Sequence, residues 1–163
     1  MGSDSCGSND FAKISIDAPK IFLSGEVLIG YAGSFRIHDI LQFTKLPKRP
    51  KNMDAKEYLV TSVIKKIRKV FQENGFENQH DGSGDMCLVG CRGKLYYISA
   101  DFSLVRNPAK YASIGSGSSV AMGSLYTTGY LPATKVEERI TIALRAASEH
   151  ARGVAAPYHI LSV

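Results

Sequence analysis

Apolar and polar positions follow two rhythms along this chain, one of period two and one of period 3.6, and the switches between them mark its elements. Residues 13–31, KISIDAPKIFLSGEVLIGY, hold two short apolar runs joined at Ser24-Gly25, which predicts a hairpin. In FRIHDILQF the residues Phe35, Ile37, Ile40, Leu41 and Phe43 recur at helical spacing until Pro47 stops them. A second, longer helix is predicted after Asp54, a suitable N-cap. Its stripe is Leu59, Val60, Val63, Ile64, Ile67, Val70 and Phe71, its opposite face carries Lys65, Lys66, Arg68 and Lys69, and Asn74-Gly75 supplies a stop.

Beyond the Gly-rich turn HDGSGD (80–85), MCLVGC and KLYYISA predict a second hairpin around Arg92-Gly93. Residues Tyr111 to Ile114 suggest one more short strand, and the small, apolar run VAMGSLYTTGY suggests a buried helix. Thr134 with Glu137 reads as a capping box ahead of Val136, Ile140, Ala143, Leu144 and Ala147, and YHILSV as a final strand. The order is strands, two helices, strands, two helices, strand, with helices near 34–44, 55–74, 117–129 and 135–151. Strict strand-helix alternation is missing, so a doubly wound parallel sheet is not expected. An α+β, four-layer αββα sandwich of two antiparallel sheets between helical layers satisfies the order.

Composition adds limits. With 163 residues, 44% apolar and 21% charged, the expectation is one globular domain over 1–163. No apolar run approaches the ~20 residues that span a bilayer, and the polar start MGSDSCGSND has no hydrophobic signal core, so a cytoplasmic protein without a membrane partner is expected. Cys6, Cys87 and Cys91 do not match a zinc knuckle and read as reduced thiols; no cofactor or metal is expected. The net charge of +5 is concentrated in LPKRPK (Leu46 to Lys51) and KKIRK (Lys65 to Lys69). Neither segment carries an aromatic residue among its charges, so both read as solvated faces and nucleic acid is not the expected partner.

Local chemistry is sparse. Ile114 to Ser119, IGSGSS, places glycines beside a serine just before a helix, where backbone amides can approach an anion; a tight strand-to-helix turn is the alternative. No Lys-Ser/Thr pair closes it as a nucleotide loop. His38, His80, His150 and His159 stand isolated and read as surface or capping residues, and no Ser/His/Asp order stands out.

Four short segments, taken in order, carry a resemblance over nearly the whole chain. Gly2-Ser3-Asp4 is followed sixteen residues after Asp4 by Lys20-Ile21, then by Gly30-Tyr31-Ala32-Gly33-Ser34 opening the first helix, and later by Gly115-Ser116-Gly117 ahead of the third. This arrangement resembles proteasome β-type subunits and the bacterial heat-shock protease rings, which are N-terminal-nucleophile (Ntn) hydrolases. The resemblance implies a threonine-type peptidase subunit that hydrolyses polypeptide amides and assembles as a homo-oligomeric ring, with an ATPase as a possible partner. It also implies roles. Asp4 would orient Lys20, Lys20 would lower the nucleophile's proton affinity, Gly33 would offer an oxyanion-hole amide, and Ser116 would bond near a free α-amino group.

The departures shape the expectation as much. Relative to the family the chain starts where the second strand is ending, so the first strand and its threonine have no counterpart, and an open sheet edge for a partner chain to cover is expected. Near the end of the fourth helix, where the family has an Asp and a Ser, this chain offers Ser148 and Ala151. The implied function is a peptidase subunit inactive in this form. The alternative is a non-catalytic scaffold or binding subunit of such a ring, and a third idea is processing before Cys6 to expose a thiol.

Overall fold

The computed structural model describes residues 1–8, 13–76 and 85–162, so the Gly-rich segment 80–85 lies almost wholly outside the described residues, as does His80. In chain order the strands are β1 (Gly2–Ser3), β2 (Cys6–Ser8), β3 (Lys13–Ser15), β4 (Ile21–Ser24), β5 (Val27–Tyr31), β6 (Asp85–Cys91), β7 (Lys94–Ser99), β8 (Leu104–Arg106) and β9 (His159–Ile160). The helices are α1 (Phe35–Phe43), α2 (Ala55–Tyr58), α3 (Ile64–Glu73), α4 (Ser118–Thr128) and α5 (Val136–His150), with a π turn, Leu59–Val63, joining α2 to α3.

Five strands, β4-β5-β6-β7-β8, form one sheet in which every neighbouring pair is antiparallel. Both predicted hairpins are in it. Strand alternation gives the sheet two apolar faces. Val27, Ile29 and Tyr31 of β5, with Cys87, Val89 and Cys91 of β6, pack against Ile37, Leu41, Leu59, Val63, Ile67, Val70 and Phe71 of the helices. Each large side chain buried there stabilises by about 1.5–3 kcal/mol. Cys87 is fully enclosed, and burial pushes its thiol up to about 12.

Where the order suggested one second sheet stand two two-stranded ones. β1 pairs with β9, and β2 with β3, both antiparallel. Residues 1–8 run through both: Met1 exchanges hydrogen bonds with Leu161, the Ser5 amide donates to Ala155 O at 3.0 Å, and Ile16 donates to Ser5 O at 2.8 Å. Behind them α4 and α5 pair through Ala121, Leu125, Ala143, Ala147 and Val154, a cluster separate from the main core. The layers are helices, five-stranded sheet, the two small sheets, helices: an α+β fold of antiparallel sheets and helices.

Local chemistry explains the helix ends. Asp54 caps α2 by accepting from the Lys56 and Glu57 amides at 2.7 and 3.4 Å, and the Lys56 amide in particular holds its carboxyl below the usual range. Thr134, by contrast, makes no capping box. The helix starts one residue later than expected, Lys135 is its N-cap without a side-chain bond, and Val136 is 64% exposed rather than part of the stripe. Val60 falls in the π turn and is exposed, because an i→i+5 turn shifts the faces of a helix. Phe43 ends α1 and is 83% exposed. The α4 helix is only partly buried, with Tyr126 exposed.

Tyr111 to Ile114 form no strand. The Asn107 side chain donates to Tyr111 O at 2.9 Å and accepts from the Ala109 amide at 2.8 Å, fixing a loop there instead, while β8 takes the sheet edge. The final run contributes only the two residues of β9.

Candidate active site

Between the five-stranded sheet and the α4–α5 pair lies a cavity of about 550 Å³. Leu28 and Gly30 of β5 and Leu88 and Gly90 of β6 form its floor, the second face of the sheet, and Ile140, Ala143, Leu144 and Ala147 of α5 form its roof. Its polar groups come from several segments: the start of the chain, the β3–β4 link, the turns before α1 and α4, His38 of α1, the loop at Lys110 and Tyr111, and Arg139 of α5.

Asp4 and Lys20 meet here. Lys20 Nζ donates to both carboxylate oxygens of Asp4, at 2.9 and 3.0 Å. Both side chains are mostly buried, and Asp4 Oδ1 also accepts from the Cys6 amide at 2.6 Å. The backbone of Lys20 is held from two sides, its amide donating to Ser3 Oγ at 3.2 Å and its carbonyl accepting from the Tyr31 amide at 3.2 Å. A cation fixed in this way, away from bulk water, favours deprotonation of any hydroxyl or thiol brought beside it.

Gly33 and Ser116 line the same cavity. Gly33 has φ +142°, and Tyr31 Oη would stand 2.7 Å from any Cβ there, so a side chain is excluded by both conformation and space. The Tyr31 phenol is pushed up to about 12, chiefly by burial and then by Cys87, with the Ser34 backbone amide opposing. On the facing turn Gly115 has φ +89° and lies against Ala32, so the turn before α1 touches the turn before α4. The N-terminus of α4, opened by Gly117, thus lies at the cavity wall and lends it positive potential.

All four sequence-derived positions, Asp4, Lys20, Gly33 and Ser116, therefore line one cavity. Ser148 and Ala151 are not among its lining residues, and Asp4 is its only carboxylate among the described residues. Of the histidines, His38 lines the cavity and is buried, with Nδ1 3.2 Å from Asp39 Oδ1, while His159 Nε2 bonds Ser5 Oγ at 2.9 Å; these two are not surface residues of the kind expected.

Sequence reasoning missed Tyr31, Lys110, Tyr111 and Arg139, which also line the cavity, and the amine of Met1, which donates to Leu161 O at 2.7 Å. Burial lowers the proton affinity of that amine, with Glu137 opposing. Cys6, also in the lining, is buried and its Sγ faces its neighbour's carbonyl, Gly7 O, at 3.6 Å. Among the described residues no group of His, Cys, Asp and Glu is arranged to hold a metal, and no helix is long and apolar enough to cross a membrane.

No protein-family model matches the sequence, and no curated protein does. Solved structures do. BPH from Thiobacillus denitrificans, in complex with epoxomicin, superposes with a TM-score of 0.78 at 19% identity, over 97% of this chain and 88% of that one. HslV from Trypanosoma brucei gives 0.65 at 14% identity over the same shares, 97% and 88%. Anbu, the ancestral beta-subunit, from Yersinia bercovieri gives 0.58 at 12%, covering 96% of this chain and 73% of that one. The order of the strands, the two helical layers and these superpositions together establish that the chain has the Ntn-hydrolase fold of the proteasome-like proteins BPH and HslV.

Proposed function

We propose that this chain is a subunit of a proteasome-like peptidase assembly, and that its cavity is the supporting half of an amide-hydrolysing site. The observation that carries the reading is the doubly hydrogen-bonded Asp4–Lys20 pair set in the same cavity as the Gly33 and Ser116 turns, within a fold shared with BPH. In this reading the Lys20 ammonium stabilises the deprotonated nucleophile, and Asp4 keeps that ammonium in place. The Gly33 amide takes up charge as the scissile carbonyl becomes tetrahedral. The nucleophile's oxygen bonds to the carbonyl carbon, its proton passes through an α-amine to the leaving amine, and water then cleaves the resulting ester. Copies of the chain assemble as a homo-oligomeric ring, polypeptide is the substrate, and no cofactor takes part.

Asp4, Lys20, Gly33 and Ser116 serve binding and polarisation in this reading, and attack needs a nucleophile placed beside them. Losing the nucleophile from such a unit costs on the order of 10⁶ in rate. A non-catalytic ring subunit is the second reading, favoured by Cys6, the thiol in the lining, being buried with its Sγ turned to Gly7 O at 3.6 Å.

Turnover of fluorogenic peptides separates them. The 163-residue chain is compared with the same chain carrying an added N-terminal strand that begins with threonine, each also as Lys20→Ala. The expected result is background hydrolysis by the first, and by the second a turnover that Lys20→Ala abolishes. Turnover by the unextended chain that Lys20→Ala removes would overturn the inactivity and point to Cys6 or another residue. A folded but inactive extended chain would favour the non-catalytic subunit.

A further inference from the structure

The chain's net positive charge is confined to one segment. Residues 45–69 hold nine of the 20 Lys and Arg and two of the 15 Asp and Glu, a net +7 that leaves the other 138 residues at −2. The structure places this segment in one layer. Ile64, Ile67, Val70 and Phe71 of α3 are buried against the five-stranded sheet, and Lys65, Arg68 and Lys69 are exposed on the side away from it. The loop before α2 carries exposed Lys45, Lys48 and Lys51 and is pinned to the same layer by the Tyr58 hydroxyl, which donates to Pro47 O at 2.6 Å. The charged surface is therefore held in shape rather than loosely tethered.

Two apolar side chains interrupt it. Phe43, at the end of α1 and two residues before Lys45, is 83% exposed, and Val60 on the π turn is 43% exposed. An exposed aromatic beside a fixed field of charge is the composition of a protein-docking surface, in which charge steers and the aromatic anchors.

We propose that the outer face of α1, the 45–54 loop and the α2–α3 helix docks an acidic protein partner, one that sets carboxylates against the lysines and an apolar side chain against Phe43. The same face of a second copy is a poor occupant, since it would bring +7 against +7, and the rest of a copy offers a net charge of only −2 over 138 residues. Nucleic acid fits less well on two counts. Seven of the nine basic residues are lysines, point charges without the planar fork that grips phosphate. One of the two arginines, Arg49, is already held by Glu26 at 2.7 Å and by Met53 O at 2.6 Å. The inference concerns a face on the opposite side of the sheet from the cavity, so it stands or falls independently of the peptidase reading.

The test is fluorescence anisotropy with two short labelled probes, a Glu/Asp-rich peptide containing leucines and a DNA duplex. The full chain is compared with Lys65→Glu/Lys69→Glu, with Lys48→Glu/Lys51→Glu, with Phe43→Ala, and with Arg145→Glu on α5 as the control. The proposal expects the peptide to bind better than the duplex. Either charge reversal should weaken peptide binding about tenfold, and raising salt to about 0.3 M should weaken it similarly. Phe43→Ala should weaken it severalfold and Arg145→Glu should not. The two reversal variants lie on separate elements, so the failure of one to fold leaves the other informative. Tighter binding of the duplex, peptide binding indifferent to both reversals, no binding of either probe, or a change of oligomeric state in the reversal variants by light scattering would each overturn it.

Discussion

Removing Asp4 and removing Lys20 should cost unequal amounts of stability, because the two partners are not equally connected. Lys20 Nζ meets both Asp4 oxygens at 2.9 and 3.0 Å, and the Lys20 and Asp4 side chains retain 19% and 15% of their surface. Asp4 has a further bond, from the Cys6 amide at 2.6 Å, that does not depend on Lys20. Lys20→Met keeps most of the aliphatic stem and gives up the pair alone, about 1 kcal/mol for ions that water still reaches. Asp4→Ala gives up the pair and a charge-assisted amide bond, and also leaves the Cys6 amide unpartnered, about 2–4 kcal/mol together. The double variant should reveal a coupling of about 1 kcal/mol, reduced but not abolished in about 1 M salt. Urea unfolding of the four proteins at neutral pH, followed by circular dichroism, measures all three quantities. A coupling within about 0.3 kcal/mol of zero, or an Asp4→Ala cost no larger than that of Lys20→Met, would refute the connectivity on which the site is built.

Two further outcomes follow from packing and burial. Within the α4 region, Gly117→Ala and Gly123→Ala should have opposite signs: a Cβ at 117 would stand 2.6 Å from Val154 Cγ2 and 3.0 Å from Ala147 Cβ, whereas one at 123 would meet nothing within 4 Å. The first should destabilise by about 1–3 kcal/mol through overpacking, and the second stabilise by about 0.5–1 kcal/mol through helix propensity, both read from urea midpoints. Cys87 keeps its proton in the fold up to about 12 against an ordinary value of 9.0, so its contribution is fully present below pH 9.0 and is lost as pH rises through about 12. Thermal melts should therefore fall less steeply above pH 9.0 in Cys87→Ala than in the parent; equal slopes would show that the thiol is not buried as the fold requires.

What could be read from the sequence, and what could not, divides by the range of the interaction responsible. The Asp54 cap, the Arg92-Gly93 hairpin turn and the Asn74-Gly75 stop depend on neighbours within four residues, and all three stand where the pattern placed them. Thr134 depended on the same kind of signal and failed by one residue, because the capping motif does not say where the first helical turn closes. Phe43 and Val60 kept the helical period yet face solvent, since period alone carries no information about where a helix ends or widens. The loop at Tyr111 is fixed by the Asn107 side chain, and β8 by β7, so neither had a local signature strong enough to choose between them.

The site shows the same division at longer range. Asp4 and Lys20 are sixteen residues apart on short, polar segments that neither helical nor strand periodicity singles out; only their order relative to the Gly33 and Ser116 turns marked them. Tyr31 was invisible for a different reason. As the last residue of an apolar strand it reads as core, and it is core, but its hydroxyl also stands against Gly33 at the point where α1 begins. A residue that serves the core with its ring and the turn with its oxygen leaves a single trace in the hydrophobic pattern. Its second role appears only when the turn it restrains is seen folded against it, with Gly115 packed on Ala32 from the other side. The Gly33 conformation is thus held by one group from the sheet and one from the α4 turn, which is why two segments about eighty residues apart in sequence define one cavity wall.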